Sequence, residues 1–402
     1  MSKADPAVPT SLISRPFVVV SLAVFVFFLY IGVLIPLIPR LIENELGGTE
    51  IDIGLNLAVF SAAAIVIRPA LGRFGERHGL RVTMVVGALM AAVASVVSAF
   101  VHDRFLLLPL RGLQGIGEAA LFVGGATLIN EFAPPHRRAE AASYFSVAVF
   151  GGIGIGPIIG EAVIGDDRYA LGLLVSAAFA FASAGVAMFA PPGARHDHDH
   201  DLAAPRFHRA ALLPGAVMGL GIAGLATFNA FMPGHATDIG LDGAKWVFAV
   251  YSVVCLVIRI AGAKWPERMG LPRAVTTALI GIGVGLLVIG VWANSLGVFI
   301  GAFTLAFGMS FLYPSLLALA VNAVPDRERV RLISTFTMFF EIGTVFGAVA
   351  LGGLAEMTSK RGGFIGGSVT ALVGLVLLWR VLVPSLRRRP ISASDGAVDT
   401  AH

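Results

Sequence analysis

Glu118 and Glu341 each stand in the middle of a run of apolar residues long enough to cross a bilayer. Burying an ionised Arg or Asp at the centre of a membrane helix costs about 2.5 to 3.5 kcal/mol on insertion scales, so charged residues at that depth are functional candidates by default. A carboxyl group set there can hold or hand on a proton. Arg111, Gln114 and Glu118 follow one another at spacings of three and four, which lays them along one helix face. Glu118 is therefore the leading proton-coupling candidate, with Arg111 two turns away to tune it or to pair with it structurally. Glu341 has no partner nearby in sequence and suits a proton or a substrate cation equally. Tyr30, Gln114, Asn229, Tyr313 and Asn322 are candidates for lining a substrate cavity, or for hydrogen bonding between helices.

The elements that must hold these residues are membrane helices. Of 402 residues, 56% are apolar and 13% charged, against roughly 25% charged in an ordinary soluble domain, which excludes a soluble enzyme. Runs of about 20 apolar residues span a hydrocarbon core of roughly 30 Å. Twelve such runs are expected near 16–39, 54–72, 82–101, 105–131, 139–163, 170–190, 211–233, 245–263, 273–293, 296–322, 330–354 and 364–384. Stretches such as Leu279 to Trp292 do not alternate in polarity, which argues against a β-barrel. The first run, Phe17 to Pro39, is long enough to span and stay attached, unlike a cleaved leader. Counting Lys and Arg by loop puts twenty on the side of the termini and six on the other, so the expectation is both termini in the cytoplasm.

The polar stretch from Pro191 to Ala210 divides the helices six and six, giving halves at 1–190 and 211–390, a linker at 191–210 and a disordered tail at 391–402. Its HDHDHD run, His196 to Asp201, has the donor types for a transition metal but no further ligands nearby, so it reads as a solvated linker and no metal site is expected. Cys255 is the single cysteine, which excludes an internal disulfide. Basic residues are scattered between apolar runs rather than gathered on a soluble face, which argues against nucleic acid. No nucleotide-binding loop or nucleophile arrangement is found, so neither enzymatic activity nor a cofactor is expected. GIGIGP in the fifth run lacks the strand that a dinucleotide fingerprint needs.

The halves repeat. RPALGRFGERHGL from Arg68 and RIAGAKWPERMGL from Arg259 superpose on a shift of 191, which sets Arg68 on Arg259, Glu76 on Glu267, Arg77 on Arg268 and Gly79 on Gly270. The same shift sets Gly152 and Gly156 on Gly343 and Gly347, while the acids are not duplicated: Met309 answers to Glu118 and Phe150 to Glu341. Parallel repeats with a site between them near the midplane are a transporter architecture.

On these residues the chain resembles the major facilitator superfamily over its whole length. Gly72, Phe74, Glu76, Arg77, Gly79 and Arg81 match that superfamily's loop signature, with Glu76 where Asp is usual. Arg111, Gln114, Gly115 and Gly117 resemble its helix-4 signature. Gly152, Gly156, Pro157 and Gly160 are similar to the helix-5 motif of its exporters, with Glu161 in place of a final glycine and Ser143 where an earlier glycine is usual. The resemblance implies an all-α integral membrane protein of twelve transmembrane helices in two six-helix repeats. It further implies a conformational latch at Gly72, Arg73, Glu76, Arg77, Gly79, Arg81, Arg259, Glu267 and Arg268.

The function expected is proton-coupled efflux of a small organic molecule across the inner membrane. The alternatives are proton-coupled uptake of a metabolite and, from another class, a non-transporting membrane sensor. The expected partners are a small-molecule substrate, protons and the lipid bilayer, with the monomer as the working unit.

Overall fold

A computed structural model of the chain describes residues 14–133, 138–165, 168–193, 208–262, 265–324 and 326–387. The described residues are nearly all helical, without strands. The first half holds α1 (Arg15–Arg40, running on through a π-helical turn, Leu41–Glu45), α2 (Glu50–His78), α3 (Leu80–Ser98), α4 (Arg104–Phe132), α5 (Arg138–Ile164) and α6 (Tyr169–Ala187). The second half holds α7 (Arg209–Asp238), α8 (Lys245–Ala261), α9 (Leu271–Val291), α10 (Ser295–Val321), α11 (Asp326–Phe346) and α12 (Lys360–Leu377). A five-residue turn, Trp265–Met269, stands between α8 and α9, and α11 runs on through a π turn, Gly347–Leu351, to Met357.

Helix starts carry the side chains that satisfy free backbone N–H groups. Thr49 and Asp52 form a capping box at α2, Asp103 accepts from the Phe105 amide at 2.7 Å, and Asn294 accepts from the Gly297 amide at 2.9 Å. Gly79 and its repeat mate Gly270 turn the chain into α3 and α9 with φ of +94° and +86°, a region that side-chain-bearing residues rarely adopt.

Eleven of these helices are long and apolar enough to cross a membrane. α8 is the short one, with 17 residues, at the lower limit for crossing. Its repeat mate α2 continues unbroken to His78, whereas α8 ends at Ala261 with Gly262 as its cap. Large apolar side chains such as Leu89, Val93, Leu372 and Val376 point outward, where lipid replaces water.

The repeat predicted from sequence is visible in the packing. In α5, a Cβ on Gly156 would stand 2.5 Å from the Gly32 Cα of α1, and in α11 a Cβ on Gly343 would stand 2.6 Å from the Gly219 Cα of α7. Glycine lets these backbones touch, as small residues do between membrane helices. The halves meet where α2 packs on α11, α5 on α8 and α1 on α7. The face where α1 begins is called the near face below, and the opposite one the far face.

Candidate functional site

Arg68 comes from α2, Glu118 from α4 and Glu341 from α11, and all three converge at mid-depth. Arg68 Nη2 lies 3.7 Å from Glu341 Oε1, and its guanidinium sits over the Phe122 ring, 5.6 Å from the centroid. Glu118 lies within electrostatic reach of both Glu341 and Arg68. The Ser61 hydroxyl of α2 faces Glu341. Both acids are buried, at 6% and 8% exposure, and Glu118 Oε2 accepts no hydrogen bond. Two carboxylates, one from each half, thus share one guanidinium.

Arg111 does not join them. Its Nη1 donates to Gln114 Oε1, Gln114 Nε2 donates to the Ser95 hydroxyl at 3.0 Å, and Ser95 donates to the Tyr30 hydroxyl at 3.4 Å. Arg111 also stacks over Phe60, 4.8 Å from the centroid. The expected partnership of Arg111 with Glu118 is replaced because seven residues separate them by about 10 Å along the axis, whereas Gln114 is one turn away. Arg111 lines a cavity of about 90 Å³ between the halves, with Phe60, Ile31, Leu34, Leu57 and Asn229 among its walls.

Of the other residues expected at the cavity, Tyr30 is fully buried in the network just described. Tyr313 packs against Phe336, centroids 5.8 Å apart, and lies within reach of Arg259 and Arg68. Asn322 is a correction: it caps the near end of α10 and is exposed, because the helix has run its course by that point. The motif Gly152, Gly156, Pro157 and Gly160 forms the contact of α5 with α1. Glu161, which replaces the motif's last glycine, accepts from Arg40 at 3.0 Å and from the Ala244 amide at the start of α8.

The far ends of the halves are tied together. The Ile51 amide of α2 donates to Glu356 beyond α11 at 2.9 Å, and Lys360 of α12 pairs with Glu43 beyond α1 and with Asp238 at 3.3 Å. At the near face Gly72, Arg73, Arg77 and Arg268 are exposed, and no ion pair holds them among the described residues. Arg81 donates to the Ala190 carbonyl at 3.5 Å. The side chains of Glu76 and Glu267, and the whole of His196 to Asp201, lie outside the described residues.

Sequence gives Arg68 no role beyond its place in the repeat, marks Glu161 only as a departure from the helix-5 motif, and does not mark Lys360. Arg259 is a correction: expected at the latch, it lies within α8 over the Phe150 ring, 3.8 Å from the centroid, because the helix still runs through that position.

Two six-helix halves around a polar site at mid-depth define a membrane transporter. The chain belongs to the Major Facilitator Superfamily, which matches it twice, over residues 20–216 and 215–401. It is 24% identical to an MFS-type transporter of Salmonella typhimurium over 371 residues, 90% of this chain and 95% of that one. It is 29% identical to the quinolone resistance protein NorA of Staphylococcus aureus over 137 residues, about a third of each chain (34% and 35%). In fold it is similar to the nucleoside transporter NupG, with a TM-score of 0.73 and 14% identity over 94% of this chain and 100% of that one.

Proposed function

We propose that the chain exports a small organic molecule across the plasma membrane in exchange for protons, with both termini in the cytoplasm. The observation that carries this reading is the sharing of Arg68 by Glu118 and Glu341. One guanidinium balances one carboxylate. The second carboxylate is a seat for a proton, and the buried Glu118 Oε2 without a hydrogen bond is where it fits. Filling or emptying that seat alters what holds α2 and α4 to α11, which is the differential interaction that a switch between two states requires.

The excess of basic residues on the near side supports a cytoplasmic near face. With that orientation the polar links at the far face close the outside, which suits a state open to the cytoplasm, with Arg73, Arg77 and Arg268 making no ion pair among the described residues. The latch residues of the near-face loops, Arg73, Glu76, Arg77, Glu267 and Arg268, would meet across the halves when the near ends close. The cavity beside Arg111 and Asn229 is the remnant of the path that substrate would follow outward.

The likeness to NorA supports export over the third of the chain that it covers. Glu161 in place of the exporter motif's glycine favours a second reading, proton-coupled uptake through the same proton seat. Accumulation of a labelled compound panel by cells with and without an uncoupler separates them. Export gives more retained compound when the gradient collapses, and uptake gives less.

A further inference from the structure

Three guanidinium groups lie within the spans, and each has a different kind of partner. Arg68 has Glu341 at 3.7 Å. Arg111 is held by the Gln114 amide oxygen and is nearly fully buried. Arg259 of α8 lies over the ring of Phe150 of α5, 3.8 Å from the centroid. Among the described residues, the titratable groups within its reach are Cys255, Tyr251 and Tyr313, none of them a carboxyl group. Its Nε is buried and donates no hydrogen bond, as in Arg68 and Arg111, while the residue as a whole is partly exposed. The guanidinium therefore has no carboxylate beside it among the described residues, in a side chain that is not fully enclosed.

The repeat explains what is missing. Arg259 is the mate of Arg68, and Phe150 is the mate of Glu341. At the position where the first arginine finds a carboxylate, the second finds an aromatic ring. An arginine in a protein stays charged, and a ring face compensates that charge only in part. A carboxylate would supply the rest through two parallel N–H bonds.

We propose that Arg259 binds the anionic group of the substrate, so that the transported molecule is an organic acid that takes beside Arg259 the role Glu341 plays beside Arg68. The inference rests on the transport reading above and names the substrate class. Around the guanidinium stand aromatic faces: Phe150 beneath it, and Tyr251, whose ring packs on Phe228 with centroids 5.2 Å apart. An acid with a flat apolar body suits these walls, and Tyr313, in reach of both Arg259 and Arg68, would border it on the α10 side. A cationic compound of the same shape would be repelled by Arg259.

The test is equilibrium binding of three probes of one shape, naphthoate, naphthamide and naphthylmethylammonium, to the purified full-length protein in detergent, read by titration calorimetry. Wild type should bind naphthoate in preference to the other two. Arg259→Gln should weaken naphthoate about tenfold or more, the scale of a lost charge-assisted hydrogen bond. Arg259→Lys should recover part of that loss, since it restores the charge without the fork. Phe150→Glu copies the Arg68–Glu341 pair onto the repeat-related contact and should abolish naphthoate binding at an unchanged melting temperature, while Phe150→Leu keeps it within a few-fold. Preference for the amide or the ammonium, no binding of naphthoate, or unchanged affinity in Arg259→Gln and Phe150→Glu overturns the proposal. Binding needs no gradient, so intact anion binding with flux indifferent to the proton gradient would strike the coupling reading alone.

Discussion

Arg68 in α2 and Glu341 in α11 approach to 3.7 Å across the junction of the two halves, while Glu118 of α4 shares the same guanidinium from within the first half. The repeat copies the arginine but neither acid, so the two halves, built on one plan, carry unlike charge. A scaffold contact would be expected on both sides of the pseudo-two-fold. A one-sided cluster fits a task done once per cycle.

Glu118→Gln should abolish proton-driven flux in proteoliposomes while retaining exchange of substrate for substrate, because the neutral amide fixes the seat in its filled state. Glu341→Gln leaves one carboxylate for one guanidinium and should also lose coupling. Flux across a pH series reads both. An unchanged pH profile in Glu118→Gln beside lost coupling in Glu341→Gln would move the proton seat to α11.

Arg68→Ala removes the counter-charge of two buried acids. Truncating one member of a buried pair costs about 3 to 5 kcal/mol in soluble proteins, and the value here should fall below that because the carboxyls can take up protons. Thermal unfolding in detergent should show a clear drop that shrinks as the pH falls. A melting temperature equal to wild type at every pH would remove Arg68 from the cluster.

Gly156→Ala drives a Cβ to 2.5 Å from the backbone of Gly32. Overpacking of this kind costs about 1 to 3 kcal/mol. Gly353→Ala, whose Cβ meets nothing within 4 Å, is the matched control and should be neutral or mildly stabilising. Unfolding temperatures of the two purified variants make the comparison, and equal values would mean that α1 and α5 can separate freely.

Ser2→Cys and Asp242→Cys, each in a Cys255→Ala background, test the orientation. Asp242 is a fully exposed far-face side chain, with side-chain exposure of 102%. A membrane-impermeant thiol reagent added to intact cells should label position 242 and spare position 2. The reverse pattern would invert the topology.

Glu76→Gln should slow turnover and leave equilibrium substrate affinity within a small factor, since a latch at the near face alters the balance between states rather than the site. A large affinity loss in a variant shown to populate the same conformations counts against the latch.

The twelve-helix plan was legible because apolar length acts over the whole sequence and needs no contact information. The repeat was legible from charged positions in an apolar chain, where coincidence is rare. Partner choice was the part that sequence could not supply. Arg111 and Glu118 share a face, yet Gln114 is nearer to Arg111 and takes its Nη1, and Arg68 reaches Glu341 only because the fold brings α2 against α11. The ties of Lys360 to Glu43 and of Glu356 to Ile51 likewise join residues from opposite halves.

A positive charge at Arg259 with no carboxylate beside it bears on what the membrane potential would do to the proposed cycle. If its counter-ion is a substrate anion, each outward step carries one negative charge, and each inward proton adds a positive one. Both movements run with an inside-negative potential, at about 2.3 kcal/mol per elementary charge per 100 mV. A cycle exchanging one proton for one monoanion would then draw on the potential twice. Export should persist when the pH gradient alone is collapsed and fail when the potential is also removed, so the ring of Phe150, by declining to neutralise Arg259, would make the protein an electrical machine as much as a chemical one.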